Sequence, residues 1–380
     1  MEHPAAAADK VTRGISSRIA LLMLCVVGGT CLILSGLAQS RSVLDWIRNT
    51  AWEQAGRKQQ IPMACYTEHF IDCDDRLLHQ DIPSADYSRG GVYFLGASNL
   101  AWALKLWDLP AEYRSLIHNY SIPGMSHADQ FDLLRFLVER KGLLNAGGER
   151  TLIVFGVSFH NTHLARLTGV PIESVVRAWT RRGFYTVDAD GTLGVSTQNG
   201  LVNMMIVERT KLTGLMKELV NIAYTPFKRP RVQTPQRYIR EWSRVMEDHG
   251  DWRVKIQVDT AAFARTVDYL LARNAQVAVV RMPHGSWDRD SLYEQFYIDQ
   301  IRKICEPKNI KIHDLSALIP DAEFADSVHL VPAAIEKFQG AVINLCVGHL
   351  RSAGVLDAGA ATEKAKGGRR ITGLATLSPF

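Results

Sequence analysis

A chain of 380 residues that is 47% hydrophobic and 22% charged can bury a substantial core, in one large or two medium domains. Its 44 basic and 39 acidic residues leave a net charge of +5, too weak a bias to imply nucleic acid as a partner. Zinc-type cysteine spacings, P-loop glycines and dinucleotide fingerprints do not occur, and His160 and His163 stand at no convincing metal spacing from a carboxylate. Neither a metal nor a cofactor is expected.

The first feature in chain order is Ile19 to Ala38, an uncharged run of mainly Leu, Val, Ile, Ala, Met, Cys and Gly. About twenty such residues suffice to cross a bilayer core as a helix. Lys10, Arg13 and Arg18 precede the run and favour a cytoplasmic N-terminus for residues 1–18, although Arg41 and Arg48 beyond it weaken that bias. The bulk of the chain would then lie outside the inner membrane, in the periplasm of a Gram-negative cell. Small residues at Gly36-Leu37-Ala38 leave a cleaved signal peptide open as the alternative. Cys65 and Cys73 are close enough in sequence to pair in such an oxidising compartment, whereas Cys305 and Cys346 read as buried thiols.

Residues 39–91 read as a juxtamembrane stalk, helical over Val43–Lys58 and irregular from Gln59 to Gly91. Val92-Tyr93-Phe94-Leu95 then runs as a buried strand into Gly96-Ala97-Ser98-Asn99, with a helix expected from Leu100 to Leu106. Ser98 would sit at the strand's carboxyl end beside free helical N–H groups, a place suited to nucleophilic attack or to simple N-capping. Further on, Ser126-His127-Ala128-Asp129 resembles a capping box ahead of the helix Gln130–Lys141. Thr151–Phe155 is a second apolar strand, ending in Gly156-Val157-Ser158-Phe159-His160-Asn161. Helix Thr260–Arg273, strand Gln276–Val280, helix Ser291–Cys305, strand Ile310–His313 and helix Pro332–Val347 complete the alternation. Such alternation predicts an α/β layered domain over residues 92–350 with a mainly parallel sheet, whose ligands bind at the carboxyl ends of the strands.

Residues 178–252 break the pattern and read as a mostly helical insertion. It contains a hairpin-like piece at Asp188–Gly191, the amphipathic run Leu201–Tyr224 and the basic stretch Lys228-Arg229-Pro230-Arg231. A lid, a membrane-facing surface and a plain solvated face are all compatible with it. The tail from 351 to 380, rich in Gly, Ala, Thr and Lys, is expected to be disordered.

Asp326-Ser327-Val328-His329 lies just before the last helix. An Asp three residues before a His can hold the imidazole and stabilise it once it has taken a serine proton. With Ser98 after the first strand and this pair before the last helix, the chain resembles the SGNH (GDSL-type) hydrolase superfamily over roughly Val92–Val347. The resemblance implies a flavodoxin-like three-layer fold, with Ser98 as nucleophile, His329 as general base and acid, and Asp326 as its orienter. It further implies an oxyanion hole of Gly124 and a third-block donor. In that block Gly156-Val157-Ser158 puts Ser158 where the family carries Asn, with Asn161 or His160 as substitutes. A missing donor costs about 2.7–4 kcal/mol of transition-state stabilisation.

The overall plan is similar to that of membrane-anchored members of alginate and cellulose acetylation and of teichoic-acid D-alanylation. That likeness implies acyl transfer or ester hydrolysis on an extracytoplasmic polysaccharide, in company with a multi-spanning membrane O-acyltransferase or a polysaccharide synthase complex. Asn99, His160, His284 and Trp287 are expected to face substrate; His284 also rivals His329 as base. The competing readings are a non-catalytic carbohydrate-binding or scaffold subunit and a secreted lipase-like esterase.

Overall fold

The computed structural model describes residues 4–61, 77, 81–164, 185–187, 193–195, 200–229, 234–248 and 250–356. In chain order the main elements are α1 (Pro4–Gln39), α2 (Arg41–Lys58), β1 (Gly91–Leu95), α3 (Ser98–Ala101), β2 (Ile117–Asn119), α4 (His127–Lys141), β3 (Thr151–Val157), β4 (Tyr185–Val187) and β5 (Leu193–Val195). They continue as α5 (Gly200–Tyr224), α6 (Pro235–Glu247), α7 (Trp252–Leu271), β6 (Gln276–Arg281), α8 (Leu292–Cys305), β7 (Ile312–Asp314) and α9 (Pro332–Ser352). The expected Cys65–Cys73 pairing and the tail beyond residue 356 lie outside the described residues.

Five parallel strands form the sheet in the order β2-β1-β3-β6-β7. Counting only those strands, this is the 2-1-3-4-5 order of flavodoxin-like folds, with its switch point between β1 and β3. β1 and β3 are buried at every position, which is why they read in sequence as continuous apolar runs. Alternate residues feed opposite layers. Tyr93, Leu95, Ile153, Phe155 and Val279 pack with α4, α7 and α8. Val92, Phe94, Val154 and Val280 pack with Ile335, Phe338, Val342 and Leu350 of α9. Burying one such side chain contributes on the order of 2 kcal/mol, so these two cores hold the sheet between its helical layers.

The capping box at Ser126 forms, with the Ser126 side chain accepting from the Asp129 N–H and the Asp129 carboxylate reaching back to the Ser126 N–H. Asp251 caps α7, which therefore starts at Trp252, eight residues before the expected Thr260. The helix expected over Leu100–Leu106 stops at Ala101, because the chain turns to bring Lys105 between the rings of Trp52 and Trp107. That cation–π contact, with Arg48 stacked on Trp107, fastens α2 to the domain. Leu44 and Ile47 of α2 are buried against Leu215 of α5. The helical part of the juxtamembrane segment 39–91 is thus a packed element. Upstream, Arg18–Leu37 of α1 has a mean hydropathy of 2.4 and no fully buried residue, touches the α2–α5 cluster at Leu34, and is long and apolar enough to cross a membrane.

Candidate active site

At the carboxyl end of β1 the chain leaves the sheet through Gly96-Ala97 and enters α3 at Ser98. Leu100 of α3 folds back over the ends of β1 and β3. A Cβ on Gly96 would meet it at 2.9 Å, and one on Gly156 at 2.6 Å. Glycine at both places permits the tight corner that holds Ser98 half-buried at the edge of the sheet. Asn119, at the end of β2, braces the corner: its Nδ2 donates to the Leu100 and Ala101 carbonyls, and its Oδ1 accepts from the Ser121 N–H.

Asp326 and His329 arrive on a narrow loop closed by a bridge between Phe324 and Leu330, with the Ala325 N–H donating to the His329 carbonyl at 2.7 Å. The indole of Trp287 donates to the Ser327 carbonyl at 3.1 Å and fixes the loop from the side. His329 Nδ1 is 2.9 Å from both Asp326 oxygens, and its Nε2 is 2.9 Å from Ser98 Oγ. Trp102 packs against the imidazole with ring centroids 4.6 Å apart. Burial acts to raise the Asp326 carboxyl, but the His329 ring and the N–H groups of Val328 and His329 outweigh it and hold the group below the ordinary carboxylate value. An ionised Asp326 therefore fixes the His329 tautomer that leaves Nε2 free to accept from Ser98.

The other expected site residues are placed differently. Gly124 lies half-buried on the loop after β2 with φ of 77°, the left-handed region that favours glycine. Its loop is tied to the Ser98 corner by the Ile122 N–H donating to the Gly96 carbonyl at 3.1 Å. Ser158 is fully buried and its Oγ stands 2.7 Å from His160 Nδ1, so its polar contact is to that ring. Asn161 Nδ2 donates to the Gly156 carbonyl at 3.4 Å, inside its own loop. Asn99 is buried, with its side-chain oxygen accepting from the Leu100 N–H.

His284 does not line an open cleft. Its side chain is sealed, 3.6 Å from Glu294 and stacked over His160, and burial pushes it down to about 4. Trp287 is core, packed on Tyr238 and Phe324. His160 is held from the far side by Asp288, with Nε2 3.0 Å from Oδ2. Asp288, Trp102 and Asn119 had no motif to flag them; each acts through residues distant in sequence or follows a strand as an unremarkable polar or aromatic residue.

The fold and site thus define an α/β protein of flavodoxin-like strand order with a Ser–His–Asp hydrogen-bonded chain at the carboxyl edge of its sheet. No family model matches the chain, and no curated protein matches it. Among solved structures, a proposed acylhydrolase of Bacteroides fragilis is similar over 72% of this chain and 95% of that one, at 12% identity and a TM-score of 0.37.

Proposed function

We propose that this chain is a serine acyl-transfer enzyme, an SGNH-type esterase or O-acyltransferase acting on an extracytoplasmic polysaccharide, anchored in the inner membrane by Arg18–Leu37 with its α/β domain on the periplasmic side. One observation carries the reading: His329 stands 2.9 Å from both Asp326 and Ser98, with a different ring nitrogen toward each. In the first half-reaction Ser98 Oγ attacks the acyl carbonyl while His329 Nε2 takes its proton. The bond to the departing alcohol breaks, and His329 returns the proton to that oxygen. In the second half an alcohol or water gives its proton to His329 and attacks the acyl carbonyl; the bond from the acyl carbon to Ser98 Oγ breaks, and His329 returns the proton to that oxygen. Gly124 is the favoured oxyanion donor, because its loop is hydrogen-bonded to the corner that carries Ser98. A sugar hydroxyl replaces water as acceptor where the sugar is held in place and the site is dry. The membrane anchor favours a surface polymer as substrate, with a multi-spanning acyltransferase as the acyl source.

The test is turnover of an activated acetyl ester and labelling by a fluorophosphonate probe, on the intact chain and on Ser98→Ala. Loss of both in the variant is expected; full turnover by the variant, with contaminating esterase excluded, would sink the reading. The internal hydrogen bonds of Ser158 and Asn161 favour a second reading, a polysaccharide-binding or scaffold subunit without turnover. An intact chain that binds glycan but takes up no probe would establish it.

A further inference from the structure

Helix α5 presents two unlike faces. On the inner one, Leu215, Leu219 and Ile222 join Val43, Leu44 and Ile47 of α2 and Leu34 of α1 in one apolar cluster. Leu34 belongs to the apolar segment Arg18–Leu37 and lies three residues before its end, about 4.5 Å along the axis at 1.5 Å per residue. A helix touching that segment at Leu34 sits where the hydrocarbon core gives way to headgroups, and the shared cluster fixes it there.

The outer face is exposed and, toward the C-terminal end of the helix, mainly apolar. Met216, Val220 and Tyr224 recur every four residues, on one stripe at 3.6 residues per turn, with Met205 three turns earlier and the exposed Arg209 and Thr213 between. Met205, Met216, Val220 and Tyr224 are between 43% and 63% exposed, and Phe227, just past the helix end, is 80% exposed. Among the described residues no other helix of the domain shows such a stripe: α6 exposes Ile239, α7 Val254 and Val258, and α8 Leu292. Cations flank it. Arg209, Lys217 and Arg229 are exposed, and Lys228 Nζ stands 5.8 Å over the Tyr224 ring. Trp46 of α2, beside the end of the apolar segment, is also exposed. Apolar and aromatic residues fringed by Lys and Arg are the composition of a helix lying in the interface of an anionic bilayer.

We propose that the Met205–Met216–Val220–Tyr224–Phe227 stripe lies in the headgroup layer of the bilayer that α1 enters, with the flanking cations on anionic lipid phosphates. Two observations choose lipid over a protein occupant: the helix that carries the stripe is packed, through its inner face and Leu34, against the membrane-length segment, and the cations beside the stripe complement an anionic leaflet. Such a contact holds the α/β domain at one tilt, with the Ser98 edge at a set height above the membrane. The inference takes Arg18–Leu37 as membrane-spanning, and the experiment separates the two.

The full chain is placed in phosphatidylcholine nanodiscs with and without phosphatidylglycerol, carrying a fluorescent amino acid at Met216, Val220, Val27 or Asp299, with nitroxide-labelled lipid as quencher. Quenching is expected at Met216, Val220 and Val27 and not at Asp299 on α8. Omitting phosphatidylglycerol, or the combined R209E, K217E and R229E substitutions, is expected to lower quenching at Val220 by about twofold or more, with the circular dichroism unchanged. Quenching at Val27 with none at Met216 and Val220 would overturn the proposal and leave the anchor standing. A Val27 probe that the lipid label does not quench would overturn both. Met216 and Val220 shielded only when a membrane protein is co-reconstituted would assign the face to that protein instead.

Discussion

Two Ser–His–Asp chains stand at the carboxyl edge of this sheet, and they differ in access more than in composition. In the first, Ser98, His329 and Asp326 are joined at 2.9 Å on both sides of the imidazole, and all three are half-buried. In the second, Ser158, His160 and Asp288 are joined at 2.7 and 3.0 Å and all are buried. The imidazoles are reversed. His329 turns Nε2 to its serine, whereas His160, two residues from Ser158 in the same turn, reaches it with Nδ1. The carboxyls diverge as well: donors hold Asp326 below its ordinary value, while burial pushes Asp288 up to about 8. A serine hydroxyl becomes a nucleophile only where substrate can reach it and an ionised carboxylate backs the base. The first chain pairs a half-buried serine with a carboxyl held below its ordinary value; the second has neither, and ties β3 to the segment after β6.

The largest effect that would break this contrast is at Ser98. S98A is expected to lower turnover of an activated ester by about a million-fold, the scale of removing a triad nucleophile. Next is D326N, expected to slow turnover about ten-thousand-fold, because the amide turns a donor toward Nδ1 and traps the wrong His329 tautomer. The Asn oxygen can still accept from the Val328 and His329 N–H groups, so the variant should fold, losing at neutral pH only the stability that the ionised carboxylate contributes. A D326N variant that kept about a tenth or more of the parent's turnover would place the working base elsewhere.

The same contrast shows what the sequence could disclose. β1, β3 and the first chain were legible because burial on both faces writes an unbroken apolar run, and because Asp326 and His329 sit three residues apart in one loop. β2 was not: Ile117-His118-Asn119 is a three-residue edge strand with a partner on one side only, too short and too polar to stand out. The second chain was invisible for a different reason. His160 and Asp288 are 128 residues apart and meet only because β3 and β6 are neighbours. The exposed place expected for His284 failed because a histidine after a strand carries no local mark of the Phe159 and His160 rings that close over it. The docking of α2 was not legible either, since the Lys105, Trp52 and Trp107 contact that makes it belongs to no periodic pattern.

S158A tests the sealed chain directly. With the hydroxyl gone, His160 Nδ1 loses its buried partner, which costs about 1–3 kcal/mol of stability, read from denaturant midpoints. Turnover should stay within about tenfold of the parent, well short of the loss expected at Ser98. If turnover instead fell by roughly a hundred- to a thousand-fold, the scale of removing one oxyanion donor, with stability unchanged, Ser158 would return to the oxyanion hole. The distinction between the two chains would then be erased.

The smallest effect separates the two carboxyls by pH. Asp288 is raised in the folded state above its unfolded value of 3.8, so folding retains its proton. That contribution is complete below pH 3.8 and is lost as pH rises through about 8. D288N should therefore flatten the decline of unfolding free energy between about pH 5 and 8, while its amide can still bond His160 Nε2. Asp326 runs the other way. Its folded value is depressed, so its contribution is present above pH 3.8 and vanishes as pH falls through the folded value; D326N should flatten stability only on the acid side. Urea midpoints for the parent and both variants from about pH 3 to 9 read both slopes. If D288N left the decline toward neutral pH intact, Asp288 would be ionised in the fold. His160 would then share the carboxylate-backed state of His329, and access alone would separate the two serines.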